Sequence, residues 1–167
     1  MATIQVMKMG QGVEWALHAC VQLAWAGPER PQPVAALAEL NGLPAPYLNK
    51  QLQALTRAGI LTSTPGARGG FTLARTPDAI TVLDVVQAID GTEGAFRCTE
   101  IRRQGPLGAS ARESRTPCQI AAVMGRAELA WRAELEAQTI ADLAAEVETN
   151  VPQTPVRIRG WLEARAG

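Results

Sequence analysis

Few residues of this 167-residue chain are equipped for chemistry: three cysteines, Cys20, Cys98 and Cys118, and a single histidine, His18. Three thiols cannot build a disulfide scaffold, and in a reducing compartment isolated thiols serve as core residues, metal ligands or redox centres. Glu14 and His18 stand four residues apart, so on a helix they leave the same face, either as a surface ion pair or as two ligands able to converge on one metal. At 100° per residue that face lies away from the apolar side holding Leu17 and Cys20, which assigns Cys20 to the core. Cys98 and Cys118 belong to a stretch with Arg97, Arg102, Arg103, Arg112 and Arg115. Thiols in electropositive surroundings have lowered pKa values and suit a reversible thiol switch, whereas two buried thiols would be inert. The sequence does not read as an enzyme. It has no phosphate loop, no dinucleotide fingerprint and no Ser-His-Asp framework, and His18 lacks the second histidine of a zinc hydrolase.

The elements that position these residues follow from periodicity and punctuation. A helix from Lys8 to Ala26 places Val13, Ala16, Leu17, Cys20, Leu23 and Ala24 on one side and stops at Gly27-Pro28. A short helix from Val34 to Leu40 ends at Asn41-Gly42, and another runs from Pro46 to Ala58, with Pro46 suited to a first turn and Gly59 to a cap. Two short helices joined by a tight turn form a helix-turn-helix pattern. Ile60 to Thr64 and Phe71 to Arg75 are strand-like and flank a Pro-Gly-Ala-Arg-Gly-Gly turn, which predicts a β-hairpin in the position of a wing. Thr81 and Asp84 are spaced as a capping box for a helix ending at Asp90-Gly91. Residues 94–117 read as a long loop.

From Cys118 to Glu146 a helical pattern returns, with Ile120, Met124, Ala127 and Trp131 spaced four, three and four apart like a coiled-coil seam. Such a helix spans roughly 43 Å, more than a small domain needs, and implies a partner helix; a homodimer is the simplest source. The tail from Glu148, with Pro152 and Pro155, reads as flexible. The expected fold is mainly α with a small β-hairpin wing. Its parts are a winged helix-turn-helix domain over 8–91, a loop over 92–118, a long dimerisation helix over 119–147 and a flexible tail over 148–167.

Basic and acidic residues balance at 16 each, which argues against a wholly basic nucleic-acid coat. The distribution is uneven, however. Between Glu39 and Asp78 there is no acidic residue, while Lys50, Arg57, Arg68 and Arg75 fall in that interval; this is either a polyanion-facing field or a solvated basic surface. No apolar run approaches the ~20 residues of a spanning helix, and the start lacks the order of a secretion signal, so the expectation is a cytoplasmic protein without a membrane span.

One run carries a resemblance. Tyr47-Leu48-Asn49-Lys50-Gln51-Leu52-Gln53-Ala54-Leu55 is followed by Ala58-Gly59-Ile60, Ser63, Gly66, Gly69-Gly70-Phe71, Leu73-Ala74-Arg75 and Ile80-Thr81-Val82-Leu83-Asp84. Together these resemble the Rrf-two family of bacterial winged helix-turn-helix regulators, repressors and activators alike, over about Gly12 to Leu143. The resemblance implies a homodimer that binds double-stranded DNA, at a palindromic or half-site operator, through the helix at Pro46 to Ala58 and the wing. With Leu48, Leu52 and Leu55 turned inward, Lys50, Gln53 and Arg57 face outward with Asn49 beside them. Tyr47, Asn49, Lys50 and Gln53, near the start of the second helix, are the candidates for base edges, and Arg57 less so. Arg68, flanked by Gly69 and Gly70, suits a phosphate or the minor groove. Each could equally be an ordinary exposed side chain.

Many cluster-binding members of that family carry three closely spaced cysteines after the Asp90-Gly91 position. This chain departs from that pattern, with Cys98, then Gln104 and Ser110, and finally Cys118. Two thiolates cannot complete the four terminal ligands of a 2Fe-2S cluster. Val13-Glu14-Trp15-Ala16-Leu17-His18 resembles the first helix of the RsrR branch of redox regulators, where glutamate and histidine complete the ligand set. The resemblance thus implies a 2Fe-2S cluster held by Cys98 and Cys118 of one subunit and by Glu14 and His18 of the partner. Replacing thiolate by imidazole raises the reduction potential and can couple electron uptake to a proton. Trp15, beside a ligand, is a candidate redox relay or an ordinary half-buried aromatic. Two other readings stay open: an iron-free regulator that uses Cys98 and Cys118 as a thiol switch, and a winged-helix module for protein interaction.

Overall fold

The computed structural model describes residues 9–165, so Lys8, the expected start of the first helix, lies outside the described residues. The chain folds as two compact units, one joining Met9–Thr92 to the chain from Leu135 onward and the other containing Glu93–Glu134.

In the first unit, α1 (Gln11–Ala26) is the central element, packed by α3 (Ala45–Arg57), α4 (Val82–Asp90), α6 (Ile140–Asn150) and α7 (Gln153–Glu163). It therefore buries more than one side: Ala19, Val21, Gln22 and Trp25 are buried along with Val13, Ala16, Cys20 and Leu23. Next comes α2 (Val34–Asn41), and then α3, in which Leu48, Leu52 and Leu55 are fully buried at spacings of four and three. Each such leucine contributes about 1.5–3 kcal/mol of apolar burial. Pro46 sits in the first turn of α3, and Gly59 beyond its end takes φ +72°, where a side chain would be strained.

The hairpin pairs β1 (Leu61–Thr64) with β2 (Gly70–Leu73) in antiparallel register, Leu61 opposite Leu73 and Thr64 opposite Gly70. Each strand has four residues, Ala74 N still donates to the Ile60 carbonyl at 2.9 Å beyond their ends, and the wing is also held to the segment before α2. Gln32 and Phe71 exchange both backbone hydrogen bonds at 2.9 Å, stitching the segment before α2 to β2. The Thr81–Asp84 capping box at α4 forms in full.

The structure departs from the expected single helix over 118–146. Instead α5 (Gln119–Glu136) and α6 are separate, because Thr139 adopts an extended backbone and caps α6 with Asp142 in a second capping box. Thr139 also lies opposite Thr81: Val82 N donates to the Gln138 carbonyl at 2.8 Å and Ile140 N to the Ile80 carbonyl at 2.9 Å. These bonds satisfy the backbone groups that the interrupted helix leaves free, and they bring Ile140 to full burial.

The segment expected to be a flexible tail contains α7. Pro155 is tolerated because it lies in the first helical turn, and Leu162 is fully buried with Ile158 and Trp161 packed on the core beside it. The helix is tied down at several points. Arg159 Nε donates to the Trp25 carbonyl at 3.2 Å, and Glu163 pairs with Arg30 at 2.9 Å. Arg165, stacked over Trp161, pairs with Glu39 of α2 at 3.2 Å.

In the second unit, two 3-10 turns (Ile101–Arg103 and Glu113–Arg115) organise the expected loop ahead of α5. No residue of α5 is buried, and Ile120 and Met124 of the proposed seam are exposed with Val123 and Leu129.

Candidate nucleic-acid interface and thiol site

The outer face of α3 carries the side chains singled out for DNA. Tyr47, Lys50 and Arg57 are exposed and Asn49 and Gln53 are half-buried, while the leucines of the same helix face the core. Arg68 is exposed at the hairpin tip. Of the basic residues in this region, Arg75 is engaged elsewhere: its guanidinium bonds the Ala79 carbonyl at 2.9 Å and pairs with Asp84 at 3.4 Å. Gly69 and Gly70 have a steric reason to be glycine. A Cβ on Gly69 would lie 2.1 Å from the Thr64 carbonyl oxygen, and one on Gly70, at φ +150°, would lie 2.4 Å from the Gln32 backbone.

The second unit brings Cys98 and Cys118 together across 20 residues of sequence. Both are half-buried free thiols; the Cys98 thiol donates to Glu100 Oε1 at 3.7 Å, and Cys98 is among the neighbours that lower the Cys118 pKa. Cys118 precedes α5, its carbonyl accepting from Ala122 N at 2.9 Å, so its sulfur meets the free amides of the first turn. The N–H groups of Ala121 and Ile120, aided by Cys98 and the Arg102 guanidinium, hold the Cys118 thiol below its ordinary range despite partial desolvation. Burial does the opposite to Cys20, pushing its thiol up to about 12. Cys20 is thus a core residue, as the helical geometry of the sequence predicted.

Two residues of this site were not assigned a role from sequence. Glu100, held below the usual carboxylate range by its bond with Arg102, stands at φ +53° between the thiols and the loop arginines. Arg102 reaches Glu100 Oε2 from Nε at 2.9 Å and the Ser114 carbonyl at 3.4 Å. No sequence signal marks either, since four neighbouring arginines look alike on the page. A cleft of about 220 Å³ beside Cys98, bounded also by Phe96, Met124 and Glu128, leaves the sulfur accessible.

Glu14 and His18 are exposed on one side of α1, as their spacing required, and Trp15 between them is half-buried against the core. They belong to the first unit, and the cysteines to the second. Among the described residues no three His, Cys, Asp or Glu side chains gather as a metal site. Within one chain the donor set is therefore a pair of sulfurs. That pair, one of them acidified, fits half of a cluster's ligands and requires the other half from elsewhere.

A half-exposed second helix followed directly by a hairpin defines a winged helix-turn-helix fold. The chain is 31% identical over 137 residues to Protein rrf2 of Nitratidesulfovibrio vulgaris, covering 82% of this chain and 87% of that one. Its fold is similar to CymR, the global cysteine regulator of B. subtilis, with a TM-score of 0.66 and 26% identity over 84% of this chain and 98% of that one. It is equally similar to T. potens IscR, at TM-score 0.66 and 25% identity over 87% and 91%. Residues 9–146 match the Rrf2 model, described as an iron-dependent transcriptional regulator, and the chain belongs to that Rrf2 (Rrf-two) family. Among the described residues no helix is long and apolar enough to cross a membrane.

Proposed function

We propose that this protein is a cytoplasmic, dimeric redox sensor that reads operator DNA through α3 and the wing. Its thiol pair, together with Glu14 and His18 of a second copy, would hold a 2Fe-2S cluster. The observation that carries the reading is the convergence of Cys98 and Cys118 at the head of α5, with Cys118 acidified by backbone amides and Arg102. Two thiols, Cys118 of them acidified, with Cys98 beside an open cleft, suit the half-share of iron ligands that one subunit would give. When bound, the cluster would supply a one-electron switch whose charge the protein feels. The exposed Glu14/His18 pair is available to a partner, and the uncovered apolar residues of α5 supply the surface on which that partner would pack.

On DNA, Lys50 and Gln53 would read base edges with Asn49 and Tyr47 beside them, while Arg57 and Arg68 would hold phosphates or the minor groove. Trp15, adjacent to Glu14 and packed on the core, is the candidate element that passes a change of charge into the winged domain. A Trp15→Ala protein that kept full redox-dependent DNA affinity would remove it from that role.

Protein purified without air, assayed for iron and acid-labile sulfide with a visible spectrum, tests the whole reading. Two irons per cluster, lost or spectrally altered in Glu14→Ala, His18→Ala, Cys98→Ala and Cys118→Ala, is the expected result. A colourless, iron-free protein from iron-rich anaerobic cells would overturn it. A second reading, a metal-free thiol switch, is favoured because Cys118 is acidified and Cys98 is among the neighbours that lower its pKa. That version is colourless and forms a Cys98–Cys118 crosslink on oxidation, with a matching change in DNA affinity.

A further inference from the structure

We infer that Arg102 is the positioning residue of the thiol site, tying together the two limbs of loop that carry Cys98 and Cys118 and supplying the positive charge their sulfurs face. The inference deepens the reading above and shares its site. Its contacts span the loop: Nε to Glu100 on the Cys98 limb at 2.9 Å, and Nη2 to the Ser114 carbonyl on the Cys118 limb at 3.4 Å. Its own carbonyl accepts from Ala109 N at 2.8 Å, closing the turn between them. Glu100 in turn faces the Cys98 sulfur, so displacement of the guanidinium would reach the sulfur through one carboxylate.

Three features set Arg102 apart. Arg97, Arg103, Arg112 and Arg115 are all exposed, while the Arg102 side chain is 27% exposed although it is charged and in a loop. Glu100 is the sole non-glycine with positive φ among the described residues, a conformation of restricted access that its bond to Arg102 offsets. Both sulfurs also lie within electrostatic range of this guanidinium. A planar fork can bond two limbs at once, whereas a lysine at this position is a point charge and cannot span them. Charge and positioning are therefore separable by substitution.

Arg102→Gln removes both, and Arg102→Lys removes mainly the fork. In iron-loaded protein, we expect Arg102→Gln to lower iron retention about 10- to 100-fold against a chelator, the usual effect of losing a partner behind the ligands. Its midpoint potential should move negative, because electron uptake loses a compensating cation. Arg102→Lys should lose retention but keep a potential near the parent's. Equal potentials in all three proteins, or parental retention in Arg102→Gln, would overturn the assignment.

A metal-free arm keeps the test independent of iron. Diamide takes two electrons and two protons from the two thiols, becoming the hydrazine as one S–S bond forms between Cys98 and Cys118. Misplacing the sulfurs in Arg102→Gln should slow this crosslink by about tenfold or more, with far-ultraviolet circular dichroism confirming an intact fold. Crosslinking at the parental rate in both variants would refute the positioning role. If the parent itself binds no iron, the cluster reading fails and the crosslinking rates alone decide for or against Arg102.

Discussion

Replacing Gly70 with alanine tests whether the wing glycine serves DNA or the fold. The added Cβ would lie 2.4 Å from both the carbonyl carbon and oxygen of Gln32, about 1 Å inside ordinary van der Waals contact, against backbone that cannot rotate away. Relieving it must displace β2 from Gln32 and so weaken the two 2.9 Å bonds between Gln32 and Phe71. Each bond contributes about 1 kcal/mol net. The φ of +150° adds strain of about 1–3 kcal/mol for a residue with a Cβ. The expected loss is thus about 3–5 kcal/mol, or roughly 10 °C in melting temperature for a chain of this size. Urea denaturation followed by circular dichroism measures it. Below the transition, where Gly70→Ala remains folded, affinity for operator DNA should fall by much less than stability does. A variant of parental stability with sharply weakened DNA binding would show that the steric account is wrong and that Gly70 approaches the nucleic acid.

Three further outcomes are expected. Leu162→Ala should destabilise the protein by about 2–5 kcal/mol in the same denaturation experiment, because the side chain is fully buried; a change under 1 kcal/mol would mean α7 is not docked in solution. Arg68→Ala should weaken binding similarly on all sequences and reduce the slope of log affinity against log salt by about one, whereas Lys50→Ala should also reduce discrimination against base-substituted competitors. For Cys20 the folded pKa of about 12 lies above the unfolded thiol's 9.0, so the unfolded state releases its proton first on raising the pH. Its contribution is fully present below pH 9 and is lost between 9 and 12. The stability of Cys20→Ala should therefore fall less steeply than the parent's over that window, and parallel curves would contradict the burial of this thiol.

The winged domain was legible because its signals are local. Leu48, Leu52 and Leu55 announce the buried face of α3, Gly59 its end, and Thr81 with Asp84 the start of α4. The interruption between α5 and α6 carried the same Thr-x-x-Asp signal at Thr139 and Asp142, hidden because alanine, leucine and glutamate on both sides favour an unbroken helix. What decides for the break is a pairing with Thr81, 58 positions earlier, that no local pattern contains. In α7, Pro152 and Pro155 read as breakers, yet proline in a first turn lacks only an N–H that would be unpaired anyway. At the candidate site, the spacing of Glu14 and His18 and the separation of Cys20 from the other thiols could be read from helical geometry. The pairing of Glu100 with Arg102 could not, since it depends on a positive φ chosen by the folded loop.

The bridge between Thr81 and Thr139 also shapes how this protein can vary. By fastening Ile80 and Val82 to Gln138 and Ile140, the winged unit closes the intervening chain into a circuit of about 60 residues, at an entropic cost of roughly 3.5 kcal/mol. Once that cost is met, doubling the circuit's length adds only about 0.6 kcal/mol. Residues 93–134 therefore behave as a graft on a fixed stock. Their length and loop chemistry can vary while the winged unit keeps its buried core and its helix caps.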